Sequence, residues 1–456
     1  MLLQFSVSNY RSFKETAVLS MEASKDHTHE NHVSIFGKDR VLQNACIFGA
    51  NASGKSNLFR ALTTAILLIR HSNQRQVGEP LLAIEPFSFV PDAGTTPSSF
   101  EFVFLQHGMK YVYGFSATRE RITEEHLYQY RTSRAAVVFT RAYNTEIQED
   151  AYRFTSSETK KELTPLVEKN IPNKLFLATA TSWNSQLTKE PYLWFNRINT
   201  YDSNNYEQLL QFEGPLFEKK EEFDKLHDFI CKTLKEADIN VSDFEFKARN
   251  IDTAELLKKL PPSLRTMIPE NEINQPGKFY EINMIHKIQA ADGSIQEYKL
   301  PSAQESKGTQ SLFFLSPLLK KAFDEGNVLC FDEFDTSLHP MLVIYLIGLF
   351  NNPEINQKHA QLIISTHTTD LLSLKISRRD EIYFVQKDQK TGESELYSLD
   401  EFSPRKKADI RNGYYLGRYG AVPEIGDGEV FWYNDPKQAT IGKYGILEEE
   451  KSNTCY

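Results

Sequence analysis

The sequence predicts an α/β protein: a mixed sheet carrying a phosphate-binding loop, an antiparallel sheet beside it, and a mainly helical insertion. Three observations lead there. Gly49-Ala50-Asn51-Ala52-Ser53-Gly54-Lys55-Ser56 follows the apolar run Cys46-Ile47-Phe48 and opens a helical stretch. Two later apolar runs, Val328–Phe331 and Leu362–Ile364, end in the polar tips Asp332-Glu333 and Ser365-Thr366-His367, as parallel strands buried on both faces do. Between residues 84 and 130 the pattern changes to short alternating runs, the period of antiparallel strands.

Each element has a physical reason. Gly49 and Gly54 lack a Cβ, so backbone N–H groups of residues 49–57 can turn onto a polyphosphate. Gly49, Ala50, Asn51, Ala52, Ser53, Gly54, Lys55, Ser56 and Asn57 are therefore the candidate nucleotide contacts. Lys55 would reach the β/γ-phosphates, and the Ser56 hydroxyl would ligate Mg²⁺. The following helix carries Leu58, Ala61, Leu62, Ile66, Leu67 and Ile69 as a one-sided apolar pattern, and its N-terminus favours anions. Asp332 would hold Mg²⁺ through water, and Glu333 would orient or deprotonate the attacking water. The chain between Asp332 and His367 has room for one helix, supplied by residues 339–350. That places His367 beside Asp332 at the carboxyl edge of the sheet, near the γ-phosphate. Ser306 and Gly308 precede an apolar helix at 311–323, where a hydroxyl and free N–H groups can meet an anion. An ordinary helix N-cap is the plain alternative.

Taken in order, the phosphate loop, the Ser-Gly signature, the Asp-Glu strand and the histidine resemble the ABC-type ATPases. More narrowly, they resemble the RecF/SMC branch and its OLD-like and RloA-like relatives of the AAA-15/AAA-21 group. Leu2–Phe13 is similar to the opening strand of that branch, and the resemblance implies that Arg11 contacts nucleotide. Asp335-Thr336-Ser337-Leu338-His339-Pro340 resembles its D-loop, and Tyr415–Pro423 the closing motif of the RloA-like proteins. The signature departs from Leu-Ser-Gly-Gly-Gln, with Lys307 and Thr309 at two of its positions. The Q-loop position stays open between Gln106 and the pair Glu124-Glu125. The resemblance implies ATP and Mg²⁺ as ligands and ATP hydrolysis as the reaction. It also implies a homodimer or larger homo-oligomer, in which Ser306 and Gly308 of one copy cover nucleotide held by the other. For the RloA-like group it further implies a regulator ATPase of anti-phage defence controlling a separate effector protein, a Toprim-type nuclease among the candidates, with a phage protein or nucleic acid as trigger. The alternative is a RecF/OLD-like DNA-binding ATPase in DNA repair or nucleic-acid processing.

Bulk properties set the frame. The chain has 456 residues, a net charge of −9, and 40% apolar and 25% charged residues, as soluble globular proteins do. The acidic balance argues against a globally basic nucleic-acid binder. No apolar run reaches a membrane span and no signal pattern opens the chain. Cys46, Cys231, Cys330 and Cys455 are far apart, which reads as reduced thiols of a cytoplasmic protein.

The expected organisation is an ATPase lobe at 1–130, an insertion at 131–294, a second lobe at 295–423 and a tail at 424–456. The polar loop Asp26–Asn31 is placed near the nucleotide entrance, and a strand is expected at Phe87–Val90. In the insertion, helices are expected at Glu158–Asn170, Gln208–Phe212 and Glu221–Ala237, with a strand pair near Phe244–Ala248 and Lys278–Lys287. No heptad pattern persists there, so a compact lid or oligomerisation element fits better than a long coiled coil. No catalytic constellation, and no metal site besides that of nucleotide Mg²⁺, stands out. The residues after His367 lack a Toprim metal pattern. Phe431-Trp432-Tyr433 in the tail suits either a partner anchor or packing on the second lobe.

Overall fold

A computed structural model of the chain describes residues 1–91, 93–131, 134–202, 220–251 and 277–423. The strands β1 (Leu2–Ser8), β2 (Ala17–Ser20), β3 (Val33–Phe36), β4 (Asp39–Leu42) and β5 (Asn44–Phe48) lead into helix α1 (Lys55–Arg70). Then come β6 (Ser98–Gln106), β7 (Met109–Ala117), β8 (Ile122–Tyr130), β9 (Ala136–Asn144) and β10 (Glu149–Arg153). Helices α2 (Ser157–Val167), α3 (Phe176–Ser182) and α4 (Gln186–Trp194) precede β11 (Ile198–Asp202). Next are α5 (Lys220–Glu236), β12 (Asp243–Ile251), β13 (Gly277–Gln289) and β14 (Ile295–Pro301). The chain continues through α6 (Lys307–Glu325), β15 (Val328–Asp332), α7 (Pro340–Phe350) and β16 (Gln361–Ser365). It ends its described part with β17 (Ile382–Lys387), β18 (Ser394–Ser398) and α8 (Ile410–Tyr415).

The mixed sheet has the order β11-β15-β16-β5-β17-β18 and is parallel except for β18. Every residue of β5 and of β16 is buried. Along these strands the side chains divide between two cores with period two. Ala45, Ile47, Ile363, Val328 and Cys330 face one core, shared with α1 and the antiparallel sheet. Cys46, Phe48, Leu362, Ile364, Leu329 and Phe331 face the other, shared with α5, α6 and α7. That two-sided burial explains why the strands read as unbroken apolar runs. Within α1 the apolar stripe is buried as expected except at Leu67, which is exposed.

The antiparallel sheet runs β10-β9-β8-β7-β6-β1-β2. Its β6–β7 hairpin turns at His107-Gly108, both with positive φ. Gln361 locks the two sheets together: buried at the start of β16, its side chain accepts from Leu2 N (2.6 Å) and donates to the carbonyls of Leu2 (3.0 Å) and Leu42 (2.9 Å).

The insertion differs from the mainly helical body expected over 131–294. Among the described residues, β9 and β10 extend the antiparallel sheet, and β11 joins the mixed sheet beside β15. The anticipated strand pair is present, with Phe244 opposite Met284 and Ala248 opposite Tyr280, and β14 makes it a three-stranded sheet. β14 is exposed along almost its whole length, Ile295 and Tyr298 included, so no buried alternating pattern marks it in the sequence. Residues 87–90 form no strand. Gln208–Phe212 and the tail from 424 lie outside the described residues. The loop Asp26–Asn31 lies at the amino ends of the parallel strands, away from the phosphate loop. Arg378 donates to the carbonyls of Thr28 and Asp26, His29 meets the Leu374 carbonyl, and Asn31 donates to that of Asn351. No helix among the described residues is long and apolar enough to cross a membrane.

Glu124 and Glu125 lie within strand β8. Glu125 is fully buried and accepts from Tyr113 Oη (3.0 Å) and from the N–H groups of Phe176 (2.7 Å) and Leu177 (2.9 Å) at the start of α3. Burial raises its pKa, opposed by Arg141. Arg141 is buried too, with Nη1 3.7 Å from Glu125 and Nη2 2.7 Å from Asp150. Removing Arg141 leaves the buried Glu125 carboxylate with no cation beside it. Arg141→Met is therefore expected to cost about 3–5 kcal/mol, as breaking a buried pair does. Urea unfolding measures it, and an unchanged midpoint would contradict the structural role of the pair.

Candidate functional site

The parallel strands β15, β16, β5 and β17 all point their carboxyl ends to one edge, and the loops there build one cavity of about 440 Å³. Its walls are Ala50, Asn51, Ala52, Ser53, Gly54, Lys55, Ser56 and Asn57 from the loop after β5, with Glu333, His367 and Lys387 from the neighbouring strand ends.

Two glycines make the loop possible. Gly54 has φ +116°, outside the range of L side chains, and a Cβ there would collide with Ser394 and Ser12. A Cβ on Gly49 would strike the Val385 carbonyl and lie 2.7 Å from Ser53 Oγ. The loop is braced from outside: Ser394 Oγ donates to the Ser53 carbonyl (2.6 Å), Ser394 N to the Ser12 carbonyl (2.7 Å), and Asn57 Nδ2 to Ser12 Oγ (2.8 Å). Ser53 Oγ is buried without a hydrogen-bond partner, a polar atom at a wall suited to a phosphate. Lys55 Nζ donates to the carbonyls of Gly49 (2.7 Å) and Ala50 (3.2 Å). Burial lowers its pKa, against the opposing pull of Asp332, Glu333 and Asp335.

Ser365, at the end of β16, organises the acidic edge. Its hydroxyl donates to Asp332 Oδ1 (2.5 Å) and accepts from Glu333 N (2.7 Å). Glu333 has φ +54°, a left-handed conformation that costs energy for a residue with a side chain and that gathers at functional sites. The turn carries Glu333 onto the cavity wall while Asp332 stays one residue behind it. Asp335 accepts from His367 N (2.8 Å) and Thr368 Oγ1 (3.0 Å), so the loop after β15 holds the histidine in place. Ser56 and Asp332 supply a hydroxyl and a carboxylate, the hard oxygen donors that fit Mg²⁺.

Four sequence candidates lie outside the lining of this cavity. Arg11 touches the loop at its rim, with Nη1 3.5 Å from Asn57 Oδ1, but its stronger bond is to Glu85 (2.8 Å). Gln106 reaches Glu190 and lines no part of the cavity. Ser306 and Gly308 open on a separate cavity of about 600 Å³ with Ser337, His339, Met341 and Tyr345. Helix α6 starts at Lys307, earlier than expected, and Ser306 Oγ caps it by accepting from Thr309 N (3.1 Å). A Cβ on Gly308 would lie 3.0 Å from the Ser337 carbonyl, so the signature turn and the loop after Glu333 are pressed together.

Sequence reasoning missed Ser365, Ser394 and Lys387. Lys387 carried the same signal as the others, an apolar run, Ile382–Val385, ending in a polar tip.

The fold and this edge define an ABC-type P-loop ATPase head. The family described as "AAA domain, putative AbiEii toxin, Type IV TA system" matches residues 45–373, and the chain belongs to it. Among solved structures the chain is similar to an SMC head domain from Thermotoga maritima (12% identity, TM-score 0.39, covering 87% of this chain and 98% of that one). It is also similar to "the recombination mediator protein RecF-ATPrS in RecFOR pathway" (14% identity, TM-score 0.30, covering 87% of this chain and 98% of that one). No curated protein matches the sequence.

Lys387 gives a direct check on the cavity as the phosphate site. Lys387→Ala is expected to weaken ATP binding roughly 10- to 100-fold, the loss of one charge-assisted contact of about 1.5–3 kcal/mol. Isothermal titration measures it; an unchanged Kd removes Lys387 from the site.

Proposed function

We propose that this chain hydrolyses ATP with Mg²⁺ and uses the cycle to pair and release two copies of itself, as the regulator ATPase of a bacterial anti-phage defence system acting on a separate effector. The observation that carries the reading is the division of the motifs. The loop, Glu333 and His367 line one cavity, and Ser306 and Gly308 line another. A chain whose two half-sites line separate cavities completes both by meeting a second copy.

In the proposed reaction, backbone N–H groups of the loop and Lys55 bind the phosphates. Ser56 and Asp332 would hold Mg²⁺, which would offset phosphate charge. Glu333 takes a proton from water as its oxygen attacks the γ-phosphorus and ADP leaves. His367 contacts the γ-phosphate, and Ser306 and Gly308 of the second copy close over it. The defence setting is supported by the family's description as a putative AbiEii toxin of a type IV toxin–antitoxin system. The chain is proposed to work in the cytoplasm, where a phage protein or nucleic acid triggers it and a partner, a Toprim-type nuclease among the candidates, carries the damaging activity.

Glu333→Gln keeps the shape of the side chain and removes its basicity. It is expected to lower turnover at least about 100-fold, the usual scale of a general base, with ATP affinity unchanged. Phosphate release and titration calorimetry separate the two, and near-normal turnover would discard the assignment.

Composite sites make a second demand. Lys55→Ala should abolish nucleotide binding and Ser306→Arg should stop turnover without abolishing binding. A mixed pair carries both lesions in one site and leaves the other intact, so mixing the inactive variants should restore part of the activity. No recovery at any ratio argues against shared sites.

A further inference from the structure

Away from the phosphate loop, the insertion brings three metal-binding side chains to one point. His227 and Cys231 stand four residues apart on α5, which puts them on one face of the helix. Asp243, the first residue of β12, meets them. His227 Nε2 lies 2.6 Å from Asp243 Oδ1, and Cys231 Sγ lies 4.0 Å from each of those atoms. We propose that His227, Cys231 and Asp243 bind a divalent transition metal, Zn²⁺ first among them, which clamps α5 to the insertion sheet.

The donor set selects the metal. A thiolate and an imidazole favour Zn²⁺ over Mg²⁺ or Ca²⁺, and nitrogen, sulfur and oxygen donors together are ordinary for zinc. With the thiol and the carboxyl deprotonated, the ligands carry two negative charges against the two positive charges of the ion. Tetrahedral zinc with bonds of about 2.0–2.3 Å sets its ligand atoms about 3.3–3.7 Å apart. The observed separations fall on either side of that range, so small side-chain rotations suffice. The surroundings fit as well. Asp228 Oδ1 lies 3.7 Å from His227 Nδ1, on the side where an outer carboxylate orients a ligating imidazole. Asp243 Oδ1 also accepts from Phe244 N (2.8 Å), which holds the carboxylate. The Phe244 ring packs 4.7 Å from the His227 ring, and Phe223 lies 5.5 Å away on the same helix. Half of Asp243 is exposed, so water can take a fourth position.

The clamp has a mechanical consequence. Phe244 continues to Phe313 of α6, with ring centroids 4.9 Å apart, and α6 is the helix capped by Ser306. A metal here stiffens the insertion where it leans on the signature helix. The plain alternative is a hydrogen-bonded His227–Asp243 pair with a thiol beside it, and it requires no metal.

The test uses the full chain, stripped with a chelator and kept free of nucleotide. Co²⁺ is titrated in and read by its thiolate charge-transfer band, followed by competition with Zn²⁺. The wild type is expected to show the band and to retain one zinc per chain by elemental analysis. Cys231→Ser is expected to lose the band and to weaken zinc binding by more than the roughly 10- to 100-fold that loss of an outer-shell partner costs. Should Cys231→Ser not fold, His227→Gln replaces it, with circular dichroism matching the metal-free wild type as the control. Loss of zinc in that folded variant supports the site. No thiolate band in the wild type, or a band and zinc content unchanged in the folded variants, overturns it.

Discussion

The Ser365 hydroxyl, between Asp332 and the backbone of Glu333, is the contact on which the acidic edge of the site depends. It spans two adjacent parallel strands, β15 and β16, and so ties the geometry of the acidic pair to the register of the sheet. That register is enforced by burial on both faces, since a slip of one residue would exchange the contents of the two cores. With the strands set, four loops arrive at one edge, and the left-handed turn at Glu333 becomes affordable because the strand before it cannot move.

Near Ser306, polar side chains add to the apolar core that the insertion shares with α6 and α7. His286 of β13 lies 2.7 Å from Glu305, the residue before Ser306, and meets the Asn240 carbonyl with its other nitrogen (2.6 Å). Tyr345 of α7 donates to Glu236 at the end of α5. The three elements that frame the second cavity, α5, α6 and α7, are thus linked by side chains rather than by a continuous sheet. Such an arrangement allows the insertion to report on, or to bias, the position of the signature turn.

Much of this was legible in the residues. The phosphate loop announced itself because close backbone approach requires glycine at fixed places, and the parallel strands did because they are buried on both faces and end in chemistry. What sequence could not show follows from the same physics. Ser365 and Ser394 act through hydroxyls that bond to groups 33 and 341 residues away, and a lone serine carries no mark of such a partner. The Asp26–Asn31 loop was misplaced because a polar loop looks the same at either end of a sheet, and only its bonds to Arg378 and Asn351 assign it to the amino ends. The insertion sheet was partly hidden because its outer strand is solvent-exposed. The His227, Cys231 and Asp243 cluster was invisible because its third member comes from another element.

The central claim is that nucleotide brings two copies together through the half-sites. Light scattering coupled to gel filtration tests it most directly, on Glu333→Gln with and without ATP and Mg²⁺, with Lys55→Ala as the control. ATP should raise the mass of the Glu333→Gln assembly by at least twofold and leave Lys55→Ala unchanged. A Glu333→Gln protein that binds ATP and keeps the same mass would contradict it.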